Sequence, residues 1–232
     1  MAAQRLTMTT DRQERTVLIT GATGYVGGRL LHRLEASDRW RVRCLTRRPE
    51  GLTARAGADT EVIAGDVMDR AALRHAMDGV DAAYYLIHSM DASTEFGALD
   101  RLSARSFADA AGSAGLDRII YLGGLGRGDR LSPHLASRQE VGAILRSSEI
   151  PTIEFRASIV IGSGSASYEL VRALVETLPI VIAPPWVETG AQPIGIEDVL
   201  EYLMAALDWE NPRSAIFEVG GAEPVTYAEV IH

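Results

Sequence analysis

The stretch Thr16-Val17-Leu18-Ile19-Thr20-Gly21-Ala22-Thr23-Gly24-Tyr25-Val26-Gly27-Gly28 decides the fold. Apolar and β-branched residues run straight into Gly21, Gly24 and Gly27, and an apolar-periodic stretch from Tyr25 to Leu34 follows at once. Residues of the first kind favour a strand, glycines permit a tight turn, and the spacing after them is helical. The reading is a strand over Thr16–Thr20, a turn, and a helix over Tyr25–Ala36. Glycine lets the backbone approach a ligand closely, and the first N–H groups of a helix have no acceptor within it, so the turn suits the pyrophosphate of a dinucleotide. The spacing Gly-x-x-Gly-x-x-Gly differs from the general Gly-x-Gly-x-x-Gly fingerprint, and turns that only pack a helix on a strand use glycines too. What favours the ligand is the context: a strand before, a helix after, and the same alternation downstream.

That alternation is regular. Strands are expected at Arg41–Leu45, Glu61–Ala64, Ala82–Ile87, Arg118–Leu122 and Thr152–Ile161, with helices at Arg70–Met77, Phe96–Ala114 and Arg138–Ser147 between them. Repeated βαβ units mean a parallel sheet, and strands apolar on both faces mean helices on both sides. After Gly162 the pattern loosens into a helix (Ser167–Thr177), a proline-rich segment (Pro179 to Pro193), a helix (Glu197–Leu207) and a short strand (Ile216–Val219). The organisation expected is a polar tail over 1–15, a nucleotide-binding core over 16–162, and a small substrate-side region over 163–232, lying over the C-terminal edge of the sheet. Thr226 and Glu229 fit a capping box, so a helix starts where the sequence stops, as in part of a longer polypeptide.

Composition narrows the partners. With 47% hydrophobic residues among 232 a sizeable core forms, and a formal net charge of -8 without a basic run argues against nucleic acid or an anionic membrane surface. The longest uncharged stretches fall short of the roughly 20 apolar residues that span a bilayer, so a cytoplasmic protein is expected. The single Cys44 reads as a small core residue. Every one of the 23 basic residues is arginine, which removes lysine as Schiff base, general base or phosphate clamp.

The ends of the expected strands carry the remaining candidates. The second strand runs into Thr46-Arg47-Arg48-Pro49, where an NAD site usually has an acid for the ribose 2′-hydroxyl; two arginines suit a 2′-phosphate, so NADP (NADPH) is preferred over NAD. Asp66 and Val67 follow the third strand, Asp66 as an acceptor for the adenine amino group, while Asp69 reads as the cap of the next helix. Leu86, Ile87, His88 and Ser89 end the fourth strand where a cofactor would lie, or form a polar turn. No metal-ligand spacing and no nucleophile elbow occur.

The turn from Thr20 to Gly27, with Gly65-Asp66 and Tyr121-Leu122-Gly123-Gly124, resembles the extended and atypical short-chain dehydrogenase/reductase superfamily, from Val17 to about Val230. Tyr85 to Met90 and Ser132 to Arg138 are similar to a bacterial atypical branch of NAD(P)H-binding, NAD-dependent epimerase/dehydratase-like proteins; the NADPH-binding accessory subunit of respiratory complex I is a more distant relative. The resemblance implies an α/β Rossmann fold, a doubly wound parallel sheet. It implies cofactor contacts at Gly21, Ala22, Thr23, Gly24, Tyr25, Val26, Arg47, Arg48, Asp66, Val67, Leu86, Ile87, His88, Ser89, Tyr121, Gly123 and Arg138. It also implies a small-molecule substrate and a homodimer paired through the helices at Phe96–Ala114 and Arg138–Ser147. The superfamily's Ser or Thr after the fifth strand is replaced by glycine, and its Tyr-x-x-x-Lys reads His134-Leu135-Ala136-Ser137-Arg138. His134 is either a proton donor near neutral pH or a surface residue starting a helix, and Arg138 is suited to ribose hydroxyls but not to proton exchange. Ser163, Ser165, Ser167, Tyr168 and Trp186 either line the site or belong to a connector and its packing. Three functions stay open: an oxidoreductase acting on a carbonyl or quinone-like substrate without the usual pair, a non-catalytic NADPH-binding module, and an isomerase or dehydratase acting on a sugar-like substrate with a tightly held cofactor.

Overall fold

The computed structural model describes residues 15–87, 94–126, 128, 131–164, 190–226 and 229. Its centre is a seven-stranded parallel sheet of β1 (Thr16–Thr20), β2 (Arg41–Thr46), β3 (Glu61–Ala64), β4 (Ala82–Tyr85), β5 (Arg118–Gly124), β6 (Thr152–Ala157) and β10 (Ala215–Val219), in the order β10-β6-β5-β4-β1-β2-β3. The chain winds one way from β1 to β3 and the other way from β4 onward, so the switch point lies between β1 and β4, where such sheets open a crevice at their C-terminal edge.

The strands alternate strictly between two cores. Val17, Ile19, Tyr84 and Ile120 face one side, where α1 (Tyr25–Ser37) and α6 (Ile196–Asp208) bring Leu30, Leu34, Leu200 and Leu203. Leu18, Tyr85, Ile119 and Tyr121 face the other, where α3 (Arg70–Met77), α4 (Thr94–Ala114) and α5 (Pro133–Arg146) bring Leu73, Met77, Phe107, Val141 and Leu145. The period of two in a strand puts successive apolar residues on opposite faces, which is why these strands read as unbroken apolar runs. Cys44 is fully buried, and burial raises its thiol pKa from 9.0 to about 12. Polar groups lock the layers together. The Tyr84 hydroxyl donates to the Leu203 carbonyl at 2.8 Å, and Arg118, buried at the end of α6, donates to the Ala206 and Trp209 carbonyls at 2.9 and 2.7 Å.

Several expected bounds shift for local reasons. The fourth strand stops at Tyr85: the Leu86 N–H makes a last bond to the Thr20 carbonyl at 3.1 Å, and the Leu86 carbonyl then lies against Gly21 of the turn. The sixth divides into β6 and β7 (Val160–Ile161), the latter pairing with β9 (Ile194–Gly195). α5 starts at Pro133, with Ser132 accepting from the Leu135 N–H, earlier than the expected Arg138. A short α2 (Pro49–Thr53) was not anticipated. The placement of Ile216–Val219 in a region over the sheet edge is corrected: β10 pairs in parallel with β6, Ala215 opposite Ile153 through Val219 opposite Ala157, and α6 packs on α1. Among the described residues, only β7, β9 and the antiparallel pair of β8 (Gly190–Ala191) with β11 (Val225–Thr226) stand outside the main sheet. Thr226 and Glu229 form the expected capping box. Ser167–Thr177 and Trp186 lie outside the described residues.

Candidate functional site

The turn after β1 is shaped by contacts a side chain would destroy. The Thr20 hydroxyl donates to the Tyr84 carbonyl, tying β1 to β4. Gly21 has φ +87°, and a Cβ there would lie 2.5 Å from the Leu86 carbonyl oxygen. Gly27 packs directly on the Gly21 carbonyl, and the Gly24 N–H donates to that same carbonyl at 2.9 Å. The turn thus delivers α1 with its first residue at Tyr25, no side-chain cap, and no acid in the first turn. The backbone N–H groups of Tyr25, Val26 and Gly27 have no hydrogen-bond partner among the described residues. Unpaired N–H groups and the positive end of the helix dipole form an anion site, and its chemistry fits a dinucleotide pyrophosphate. Ala22 is buried beneath this turn, while Thr23 and Gly24 are exposed.

On the β2 side, Arg47 stands 81% exposed with its Nε 3.9 Å from an Asp66 oxygen, a loose surface pair. Arg48 precedes α2, and its N–H donates to the Thr46 hydroxyl at 3.2 Å. The other Asp66 oxygen accepts the Met68 N–H at 2.8 Å, while Asp69 caps α3 by accepting from Ala71 and Ala72. Gly65 and Thr46 are joined by a backbone hydrogen bond, which brings Arg47, Arg48, Asp66 and Val67 together at the C-terminal ends of β2 and β3.

On the β5 side the residues separate. Arg138 reaches from α5 to the Leu122 carbonyl with one guanidinium N–H, and its Nε is buried without a partner. Tyr121 is buried, packs edge-on to Tyr85 at 6.0 Å, and donates its hydroxyl to the Arg138 carbonyl. Burial raises its pKa, so it stays a neutral donor. A Cβ on Gly123 would meet Glu154 at 3.0 Å, and one on Gly124 would meet Leu135 at 2.5 Å and Arg138 at 3.4 Å. Glycine therefore stands where the superfamily has a hydroxyl because neighbouring side chains fill that space. Tyr121 and Gly123 face the α5 packing layer, apart from the set around the β1 turn. His134 is exposed in the first turn of α5, and its pKa is lowered by partial burial and by Arg138, against an opposing Asp100. Leu86 and Ile87 are half-buried beside the turn; His88 and Ser89 lie outside the described residues, as do Ser165 and Tyr168.

Sequence reasoning missed Arg29. One helical turn after Tyr25, its guanidinium lies 5.0 Å from the Tyr25 ring centre and donates to the Ser163 carbonyl at 2.8 Å. Among the described residues no cluster of His, Cys, Asp and Glu could hold a metal ion. An apolar groove of about 570 Å³, walled by Phe155, Tyr202, Trp209 and Phe217, lies on the far β10 margin, away from the turn.

Fold and turn together define an α/β dinucleotide-binding protein. Residues 21–165 match the family described as NAD(P)H-binding, and the chain belongs to that family, within the atypical short-chain dehydrogenase/reductase superfamily. It is 30% identical over 92% of its length to a (4-alkanoyl-5-oxo-2,5-dihydrofuran-3-yl)methyl phosphate reductase of Streptomyces griseus, of which it spans 70%. It is also 30% identical over 68% of its length to a ceramide reductase of Caulobacter vibrioides, of which it spans 50%. Among solved structures, MoeE5 in complex with UDP-glucose and NAD shares the fold with a TM-score of 0.77 at 21% identity, covering 93% of this chain and 79% of that one.

Proposed function

We propose that this protein is an NADP(H)-dependent oxidoreductase acting on a small carbonyl or quinone-like substrate. The observation that carries the reading is the arginine pair Arg47 and Arg48, at the strand end beside the dinucleotide turn. Forked guanidinium hydrogen bonds match a phosphate dianion far better than a hydroxyl. The reductase relatives support the reaction class. The N–H groups of Tyr25 and Val26 would hold the pyrophosphate, and Arg138 would hold ribose hydroxyls. Asp66, with Val67 beside it, would face the adenine, and Leu86 and Ile87 would line the path between. Bound NADPH supplies a hydride. His134 would then deliver the proton, or water would do so.

Partial burial and the neighbouring Arg138 lower the His134 pKa below the ordinary histidine value. If it is the acid, turnover falls as pH rises through a value below the ordinary 6.5. Purified protein assayed for NADPH oxidation against aldehydes, ketones and quinones should turn over at least one class. His134→Phe should slow that turnover about 100-fold and flatten the pH profile.

The second reading, a non-catalytic NADPH-binding module, is favoured by the filling of the Gly124 position with Leu135 and Arg138. Stoichiometric NADPH binding without turnover on any substrate class would establish it and overturn the oxidoreductase. We also propose a cytoplasmic homodimer paired through α4 and α5. Leu99 and Leu102 on α4 are 45% and 47% exposed, and no described helix is long and apolar enough to cross a membrane.

A further inference from the structure

We propose that Arg29 is a phosphate ligand of the dinucleotide, holding the nicotinamide-side phosphate across the N-terminus of α1. Side chains on a helix lean toward its N-terminus, so a residue four positions in returns to the level of the first turn. Arg29 stands in that relation to Tyr25, the first residue of the helix: its guanidinium carbon lies over the Tyr25 ring, 5.0 Å from the centre.

Arg33 on the same helix pairs with Glu197 and Glu201 at 3.5 and 3.0 Å, and Arg39, just past the helix end, pairs with Asp208 at 2.5 Å. No carboxylate among the described residues pairs with Arg29, whose neighbours are an aromatic ring and one carbonyl. The positive end of the helix dipole adds a charge of the same sign at the same place, which disfavours this arrangement until an anion joins it. A second unsatisfied group marks the junction. The Tyr25 hydroxyl is buried with no hydrogen-bond partner, held against Gly162, where a Cβ would run into it.

The anchor on Ser163 decides which phosphate. Ser163 follows β7, on the β6 side of the switch point, whereas Arg47, Arg48 and Asp66 stand on the β2 and β3 side. With the 2′-phosphate adenosine over β2, the phosphate nearer Ser163 is the one carrying the nicotinamide ribose. Guanidinium N–H groups beyond the one given to the Ser163 carbonyl can take it as a charge-assisted pair.

The inference rests on NADP(H) binding at this turn, and the test separates the two. Affinities for NADPH and for adenosine 2′,5′-bisphosphate, which lacks the nicotinamide-side phosphate, are measured by titration on wild type, Arg29→Gln and Arg29→Lys. Glutamine keeps a donor for the Ser163 carbonyl and loses the charge; lysine keeps the charge. Arg29→Gln should weaken NADPH at least about tenfold and the bisphosphate less than twofold, with Arg29→Lys closer to wild type. Equal loss on both ligands, equal loss in both variants, or no loss at all overturns the assignment of Arg29. A wild type that binds neither ligand overturns the cofactor reading instead. Arg29→Met replaces the glutamine variant if that one does not fold.

Discussion

Gly21→Ala is expected to lower the melting temperature by roughly 10 °C and to abolish measurable cofactor binding. Two penalties add at this position. An L-residue at φ +87° carries backbone strain of about 1–3 kcal/mol. Its Cβ would also stand 2.5 Å from the Leu86 carbonyl oxygen, and that backbone cannot yield without moving the end of β4. Overpacking of this kind costs about another 1–3 kcal/mol, and each kcal/mol moves the melting point of a domain this size by about 2–4 °C. Binding suffers separately, because any relief displaces the turn that aims the Tyr25 and Val26 N–H groups. A variant melting within 2 °C of wild type, by the usual calorimetric scan, would mean that the turn is not under the constraint described.

Glu154→Ala is the second large effect. Glu154 is fully buried on β6 between two arginines, Arg146 from α5 and Arg156 from its own strand, the latter at 2.7 Å. Gly123 and Gly142 carry no side chain where the carboxylate lies; a Cβ on either would run into it. Removing the acid leaves two cations pressed together in a half-buried site, where burial and then Arg156 already lower the pKa of Arg146. Breaking a buried ion pair this way costs about 3–5 kcal/mol, which corresponds to a drop of roughly 10 °C or more. Replacing all three together (Arg146→Met, Glu154→Leu, Arg156→Met) should recover most of that loss, because the penalty lies in the uncompensated charge rather than in the volume. A single variant as stable as wild type would show that solvent already screens the cluster.

The sheet was legible where local signals suffice. Val17 to Ile19, Val62 and Ile63, and the Asp69 cap of α3 announce their elements in a few adjacent residues, and the observed bounds agree there. Long-range pairing was not legible. Ala215–Val219 is an ordinary short strand by its residues, and only its pairing with β6, some sixty positions earlier, puts it in the main sheet. The candidate site divides the same way. The glycine turn and the arginine pair are contiguous in sequence. The filled Gly124 pocket depends on Leu135 folding back from α5, and the Arg29 contact depends on Ser163, 134 residues away. What signal there was for Arg29 lay in its place four residues after Tyr25, which puts both on one helix face.

The most direct test of the account is a pair of titrations, NADPH and NADH, on wild type and on the double variant Arg47→Ala with Arg48→Ala. Wild type should bind NADPH at least about tenfold more tightly than NADH. The double variant should lose about 100-fold on NADPH while changing NADH less than threefold, since each charge-assisted contact to phosphate is worth about 1.5–3 kcal/mol. Equal losses on both cofactors, or no preference in wild type, would contradict it.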